Sequence, residues 1–307
     1  MDGKKWLQAF TELAKQIGFD NVAASPIDPL PEASARLRQW LAKGMHGDMD
    51  YMQEHAAIRE HPEELLPGAK SIISLTYNYY KPVSTAACGY SIARYAWSRD
   101  YHKVLRKKLK TVMSEMESCF GTVDYRICVD SAPIMEKAYA QRAGLGWIGK
   151  NGCFIAPNKG SYFLLAEVLV DIELPSGAPA TDHCGECRIC MDKCPTGAIV
   201  EPCVVDARKC ISYLTIESKG DIPDEFRGKY RGWIFGCDIC QEVCPHNRFA
   251  SFHDDEDFTP HEEILSMCRD EWRALTKGRF DELFEGMPQK RAKYEGFMRN
   301  IKFVDNK

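Results

Sequence analysis

At 307 residues, 45% hydrophobic and 27% charged with a formal net charge of −4, the chain can bury a large core and form more than one domain. No stretch is apolar enough for a membrane span, and the opening MDGKKWLQAFTELAKQIG carries neither a signal peptide nor a twin-arginine pattern, so a cytoplasmic protein with no membrane partner is expected. The fourteen cysteines exclude an ordinary secreted scaffold: nine lie between Cys184 and Cys244, while Cys88, Cys119, Cys128, Cys153 and Cys268 are scattered. Clustering of that kind in a reducing compartment points to metal.

Trp6, Leu7, Phe10, Leu13, Ala14 and Ile17 fall on one helical face, so the N-terminal run reads as a first helix. PEASARLRQWLAK follows as a helix, AKSIISLTYNYY as a strand and YHKVLRKKLKTVMSEMESCF as a long helix. VDYRICVD reads as a strand, IMEKAYAQRAG as a helix and SYFLLAEVLVDIEL as a buried strand. The alternation predicts an α/β layered domain over residues 1–175. LPSGAPATDH is a turn-rich connector into a cysteine domain over 176–250, in which DARKCISYLTIESKG reads as helical and holds Cys210. The remaining segment, 251–307, begins acidic and ends basic, and is expected to be short and helical.

CGECRICMDKCP has the C-x2-C-x2-C-x3-C-P spacing of a ferredoxin-type site, and CDICQEVCP nearly repeats it. Two [4Fe–4S] clusters need eight thiolates, and the two runs give seven, because the upstream position in register with the second run is Ile234. Cys210 or Cys203 completes the set, with Cys210 favoured as the residue able to lean over the cluster. With the last cysteine of each run crossing over, one group is Cys184, Cys187, Cys190 and Cys244; the other is Cys194, Cys210, Cys237 and Cys240. Two structural zinc sites are the alternative, but a third cysteine at the same spacing and a closing Cys-Pro are not zinc habits.

GLGWIGKN, residues 144–151, satisfies G-x-G-x-x-G and nearly a P-loop. Its glycines follow a helix rather than a strand, and Asn151 stands where a Mg²⁺-binding hydroxyl belongs, so a helix C-cap and tight turn is the default reading. Glycines there also allow a large flat ligand to approach the backbone.

Taken in order, RYAWSRDYHKVLRKKL, VDSAPIMEKAYAQRAGLGWIGKN, CGECRICMDKCPTGAI, RKCISYLTIE and GWIFGCDICQEVCPHN resemble the epoxyqueuosine reductase family over nearly the whole chain, through KRAKYEGFMRNI. The resemblance implies a nitroreductase-like α/β domain that holds cobalamin, joined to a ferredoxin-like two-cluster domain. It implies reduction of epoxyqueuosine to queuosine at the wobble position of tRNA anticodons, with electrons from a donor the sequence does not identify. The chain is expected to stop before the helical-repeat domain that some members add, and to be a monomer. DYHKVL lacks the D-x-H-x-x-G cobalamin signature, with Leu105 in the glycine position. The rival readings are a reductive dehalogenase, which typically carries an export signal, and a plain electron-transfer ferredoxin on a scaffold.

By the same resemblance Asp130, in VDSAP, is the general acid, with burial against the corrin expected to raise its pKa. On the residues alone an aspartate at a strand end before Pro133 is more often a turn or N-cap residue than a catalytic one. Tyr101 and His102 are candidates for the substrate side or the cobalt, against a plain role in capping the following helix. Arg59, Arg142, Gly149, Lys150 and Gly152 are candidates for corrin contact. Two basic clusters, Arg106, Lys107, Lys108 and Lys110, and Lys290, Arg291, Lys293 and Arg299, are candidates for tRNA phosphates, against a solvated surface.

Overall fold

The N-terminal periodicity is realised as the helix Gly3–Gln16 in the computed structural model, which describes residues 2–82 and 89–306. Cys88 lies outside them. Asp2 caps this helix, its carboxylate accepting the N–H groups of Lys4 and Lys5 at 3.0 and 3.2 Å, and Trp6, Phe10 and Ala14 are fully buried. Tyr101–Phe120 is one continuous helix, capped by Asp100 and ending at Gly121, whose φ is 82°. Leu105, Leu109, Val112, Met113 and Met116 form its buried stripe, each worth about 1.5–3 kcal/mol of burial.

These two helices cover one face of a four-stranded sheet. Its order is Asn21–Pro26, Ser71–Asn78, Phe163–Val170, Tyr125–Cys128, and every pairing is antiparallel. The short helix Glu136–Arg142 and the hairpin Trp147–Ile148/Phe154–Ile155 cover the other face. The two central strands are therefore buried on both sides: Phe163–Val170 is apolar but for Glu167, while Ser71–Asn78 buries Ser71, Ser74, Thr76 and Asn78 among its apolar residues. The fold is mixed α/β with an antiparallel sheet. The edge strand Asn21–Pro26 was not expected.

One correction concerns the cysteine region. Cys210 is not within a helix: it occupies the extended N-cap position before Ile211–Ile216, preceded by the 3₁₀ turn Ala207–Lys209. Ile234 lies in the strand Trp233–Phe235, which pairs in parallel with Ser91–Ile92, and it is fully buried. A thiolate there would point into a core, not at a cluster. The C-terminal helices, ending in Lys293–Asp305, build that core: Trp272, Phe280, Phe284 and Phe297 pack with Trp97, Ile234 and Phe235. Segments from before 100, around 234 and beyond 260 thus share one apolar cluster.

Candidate functional site

The strand Tyr125–Cys128 runs out into Asp130, a non-glycine residue at φ 53°. Three groups hold it. Its N–H donates to Glu136 Oε1 at 2.6 Å, its Oδ2 meets His102 Nε2 at 2.9 Å, and the Tyr101 hydroxyl also bonds its carboxylate. Arg106 steadies the next residue, donating to Ser131 Oγ at 2.6 Å. On the other side of the imidazole, Asp100 Oδ1 takes His102 Nδ1 at 2.6 Å and also accepts the His102 backbone N–H. Asp100 is thus both the N-cap of the long helix and the far end of an Asp100–His102–Asp130 array. Tyr101 and His102 begin the helix rather than cap it, and their rings stack at 4.1 Å.

The expectation of a raised Asp130 pKa is corrected by this array. Desolvation pushes the carboxyl up, but the hydrogen bonds from His102 and Tyr101 and the charge of Lys137 outweigh it and hold it below the usual carboxylate range. Burial lowers His102, yet its two carboxylate partners win and push it up to about 9. At neutral pH the proton therefore resides on His102 and the charge on Asp130. The Asp130 side chain is 56% exposed, so it faces outward from this array.

Around Asp130 stand Tyr51, Tyr95, Arg59 and Arg291, all close enough to feel its charge. Arg59 is 8% exposed; its Nη2 reaches Met52 Sδ, and its Nη1 has no partner among the described residues. Arg291 is bound by Glu217 at 2.9 and 2.7 Å.

The glycine turn is the loop of the hairpin. Gly149 N–H donates to Cys153 C=O at 2.8 Å, and a Cβ on Gly146 would come within 2.1 Å of Ile155 O, so the strands close only over a glycine. Lys137 reaches from beside Glu136 to Gly152 C=O at 2.7 Å. Asn151, 6% exposed, accepts the Cys153 N–H at 3.1 Å and donates to Cys240 C=O at 3.2 Å. Lys150 donates to the carbonyls of Gly185 and Cys187. The turn is therefore bound on one side to the Asp130 neighbourhood and on the other to both cysteine runs. Arg142 does not join it; both its bonds go to Asp28, at 2.9 and 3.0 Å.

All thirteen described cysteines are unbridged. Cys190 interacts with Cys244, Cys184 and Cys187. Cys237 interacts with Cys210 and Cys194, and Cys240 with Cys153, Cys237 and Cys210. Trp147 Nε1 donates to Cys184 Sγ at 3.4 Å and the Ala198 N–H to Cys194 Sγ at 3.3 Å. Among the described residues no three His, Cys, Asp or Glu side chains converge as ligands of a single ion would. Four thiols in one group and five, Cys153 included, in the other suit a pair of cubanes in donor chemistry. Cys203 lies elsewhere, at φ 63° against Ile148 C=O and nearer Cys184 than the second group. Cys153, beside Cys240, was not expected at all.

Of the basic candidates, Arg299 is turned inward onto the carbonyls of Leu214, Ser218 and Gly220. Lys290 is paired with Asp281, and Lys108 with Asp255. Lys107, Lys110 and Lys293 are exposed.

Two family models match the chain. One, described as epoxyqueuosine reductase QueG, DUF1730, covers residues 59–131, from Arg59 past Asp130; the other, a 4Fe-4S double cluster binding domain, covers 183–247. The epoxyqueuosine reductase of Cellulophaga algicola is 45% identical over 291 residues, 95% of either chain. That of Escherichia coli K12 is 41% identical over 308 residues, 98% of this chain and 81% of the other. The chain belongs to the epoxyqueuosine reductase family. Among solved structures it resembles an epoxyqueuosine reductase with an epoxyqueuosine-modified tRNA-Tyr stem loop, at TM-score 0.87 and 33% identity over 97% of this chain and 80% of that one. It also resembles the Bacillus subtilis enzyme with an aspartate catalytic loop swung out of its active site, at TM-score 0.86 and 31% identity over the same shares. A 4Fe-4S double cluster domain is thus part of the fold. No helix among the described residues is long and apolar enough to cross a membrane.

Proposed function

We propose that this chain performs the family's reaction with Asp130 as the residue that hands a proton to the departing epoxide oxygen, drawn from His102. The chain is an oxidoreductase that converts epoxyqueuosine to queuosine in tRNA. Opening the epoxide to an alkene consumes two electrons and two protons and releases the oxygen as water. The observation that carries the reading is the Asp100–His102–Asp130 array, in which a protonated imidazole backs an outward-facing carboxylate. Asp100 fixes the ring so that Nε2–H points at Asp130, and Asp130, a carboxylate at rest, relays the proton it takes from His102 to the departing oxygen. A related enzyme with a catalytic aspartate loop supports the role of the aspartate.

The residues present also suit the groups the family implies. The first cluster would be held by Cys184, Cys187, Cys190 and Cys244, the second by Cys194, Cys210, Cys237 and Cys240. Cobalamin would lie between Asp130 and the second cysteine group, against Arg59, Tyr101, His102, Gly149, Lys150 and Gly152, in a nitroreductase-like domain. Supporting that place are the buried Arg59 Nη1, without a partner among the described residues, and the turn that joins Asp130's surroundings to Cys240. Bound there, the clusters supply electrons one at a time and cobalamin a cobalt centre reducible to a strong nucleophile. A tRNA anticodon loop is the substrate's carrier in this reading, and an unpaired loop presents its base without opening a duplex. The division at residues 175 and 250 remains part of the proposal.

Asp130→Asn tests the reading. The variant keeps the size and hydrogen-bonding capacity of the side chain but cannot carry the proton. Under a strong chemical reductant, queuosine formation is expected to fall about a hundredfold or more, with iron content and stem-loop binding unchanged. Turnover near that of the unaltered chain would refute the assignment.

A further inference from the structure

Beneath Asp130 lies a buried carboxyl for which the reaction has no use as written. Glu167 sits mid-way along the strand Phe163–Val170, 0% exposed, opposite Ser74 on one neighbouring strand and Cys128 on the other. Neither of its carboxyl oxygens meets a donor among the described residues, and neither does Ser74 Oγ. Glu136 opens the helix that covers this face of the sheet and comes within interaction distance of Glu167. The Oε1 of Glu136 accepts the Asp130 N–H at 2.6 Å.

Two costs meet here. A non-glycine residue at φ 53° is strained by on the order of 1–3 kcal/mol and persists only where its surroundings impose the conformation. A fully buried carboxylate with no donor costs more, on the order of several kcal/mol. Adjacent carboxyls remove the second cost by sharing a proton, as like charges so close cannot both ionise. With the hydrogen on Glu167, that carboxyl donates to Glu136, and Glu136 keeps an anionic oxygen for the Asp130 amide. A charged acceptor makes that bond stronger than a neutral one would. Burial, followed by the charge of Asp130, pushes Glu136 up to about 7, and burial, followed by the charge of Glu136, pushes Glu167 well above the ordinary range. The other groups facing Glu136 are Asp130 from the loop, Lys137 from its own helix, Cys128 from the sheet, Arg59, and Tyr101 from the long helix.

We propose that Glu136 and Glu167, holding one proton between them, latch Asp130 in its left-handed backbone and so aim its carboxylate outward from His102. They are positioning residues, acting through Asp130, and the proposal rests on Asp130 being the proton donor.

Glu136→Ala removes the acceptor, whereas Glu136→Gln keeps an amide oxygen in its place. In the full chain with clusters loaded, hydrogen exchange at the Asp130 amide is expected to quicken roughly tenfold in Glu136→Ala, the loss of about one hydrogen bond, and to stay near the unaltered rate in Glu136→Gln. Turnover is expected to fall about a hundredfold in Glu136→Ala with KM little changed, as displacement of a reacting group by about 1 Å does, and to recover in Glu136→Gln. Glu167→Gln, which still offers Glu136 a donor, should match the unaltered chain in exchange rate, and it keeps the test open should Glu167→Ala fail to fold. Unchanged exchange in Glu136→Ala would overturn the latch; quickened exchange with full turnover would overturn its positioning role. Asp130→Asn separates the two ideas. If it turns over normally, the donor reading fails, while the exchange rate of the Asp130 amide still reports on the latch.

Discussion

His102 answers to two carboxylates, Asp100 and Asp130, and they raise it to about 9 despite its partial burial. The ordinary value is 6.5, so folding favours the protonated ring. Its contribution to stability is full below about 6.5 and is lost as pH climbs through about 9. Turnover that draws on that proton should share this basic limb. A pH–rate profile under single-turnover conditions is expected to be level between about 6.5 and 8 and to decline above about 9. His102→Gln should lose the limb and slow the reaction by about a hundredfold. A limb that persists in the variant would assign the proton elsewhere. A second outcome belongs to single cysteines. Cys210→Ala is expected to lose about half the iron of the reconstituted chain, whereas Cys203→Ser, at a residue directed to Ile148 C=O, should keep all of it. Iron analysis with electron paramagnetic resonance distinguishes the two.

Elements differ in how plainly they were written. The long helix Tyr101–Phe120 and both central strands follow from local periodicity, which needs no distant partner. The cysteine runs are equally local, because ligand spacing is set within a few residues. Asn21–Pro26 was missed since NVAASP is small-residue-rich and ends in proline, and only its pairing with Ser71–Asn78 makes it a strand. Cys210 looked helical because its neighbours are; its extended backbone is set by the cap it forms. The site was legible only in part. Asp130, Tyr101 and His102 were singled out, but the bond between residues 28 apart, the hold of Glu136 and the place of Cys153 beside Cys240 arise from tertiary packing. Arg299 is a case where charge misled: a basic run suggested phosphate, yet the guanidinium satisfies carbonyls at the end of Ile211–Ile216. Arg299→Ala is therefore expected to destabilise the chain by about 1.5–3 kcal/mol, visible as a lower Tm, with Lys293→Ala close to neutral. Equal melting temperatures for the two would contradict this.

For the molecule as a whole, the net charge of −4 means that any RNA surface must be local. Lys290 and Arg291 are already bound by Asp281 and Glu217, so phosphate must compete for them, whereas Lys293 is exposed. Lys293→Ala is expected to reduce the slope of log K against log salt by roughly 0.7, the single-strand value for one contact. Glu217→Gln, by releasing Arg291, should tighten binding of an epoxyqueuosine stem loop. A binding series across ionic strength checks both, and an unchanged slope would show that this face does not meet RNA.

The parallel pairing of Ser91–Ile92 with Trp233–Phe235 bears on how the protein is made. The Arg94 N–H, next to that pairing, is satisfied by Asp238, 144 residues downstream and directly after Cys237. While the ribosome is still working between these points, the early segment has no partner and the later thiols do not yet exist. The segment around Ile92 thus stays without its partner during synthesis. If the second cysteine group holds a cluster as proposed, its iron and sulfur would arrive only once Cys237 and Cys240 are made, after Trp233–Phe235 has become available to pair. In cells short of iron, the species that accumulates should be a docked but metal-free protein rather than a half-built one.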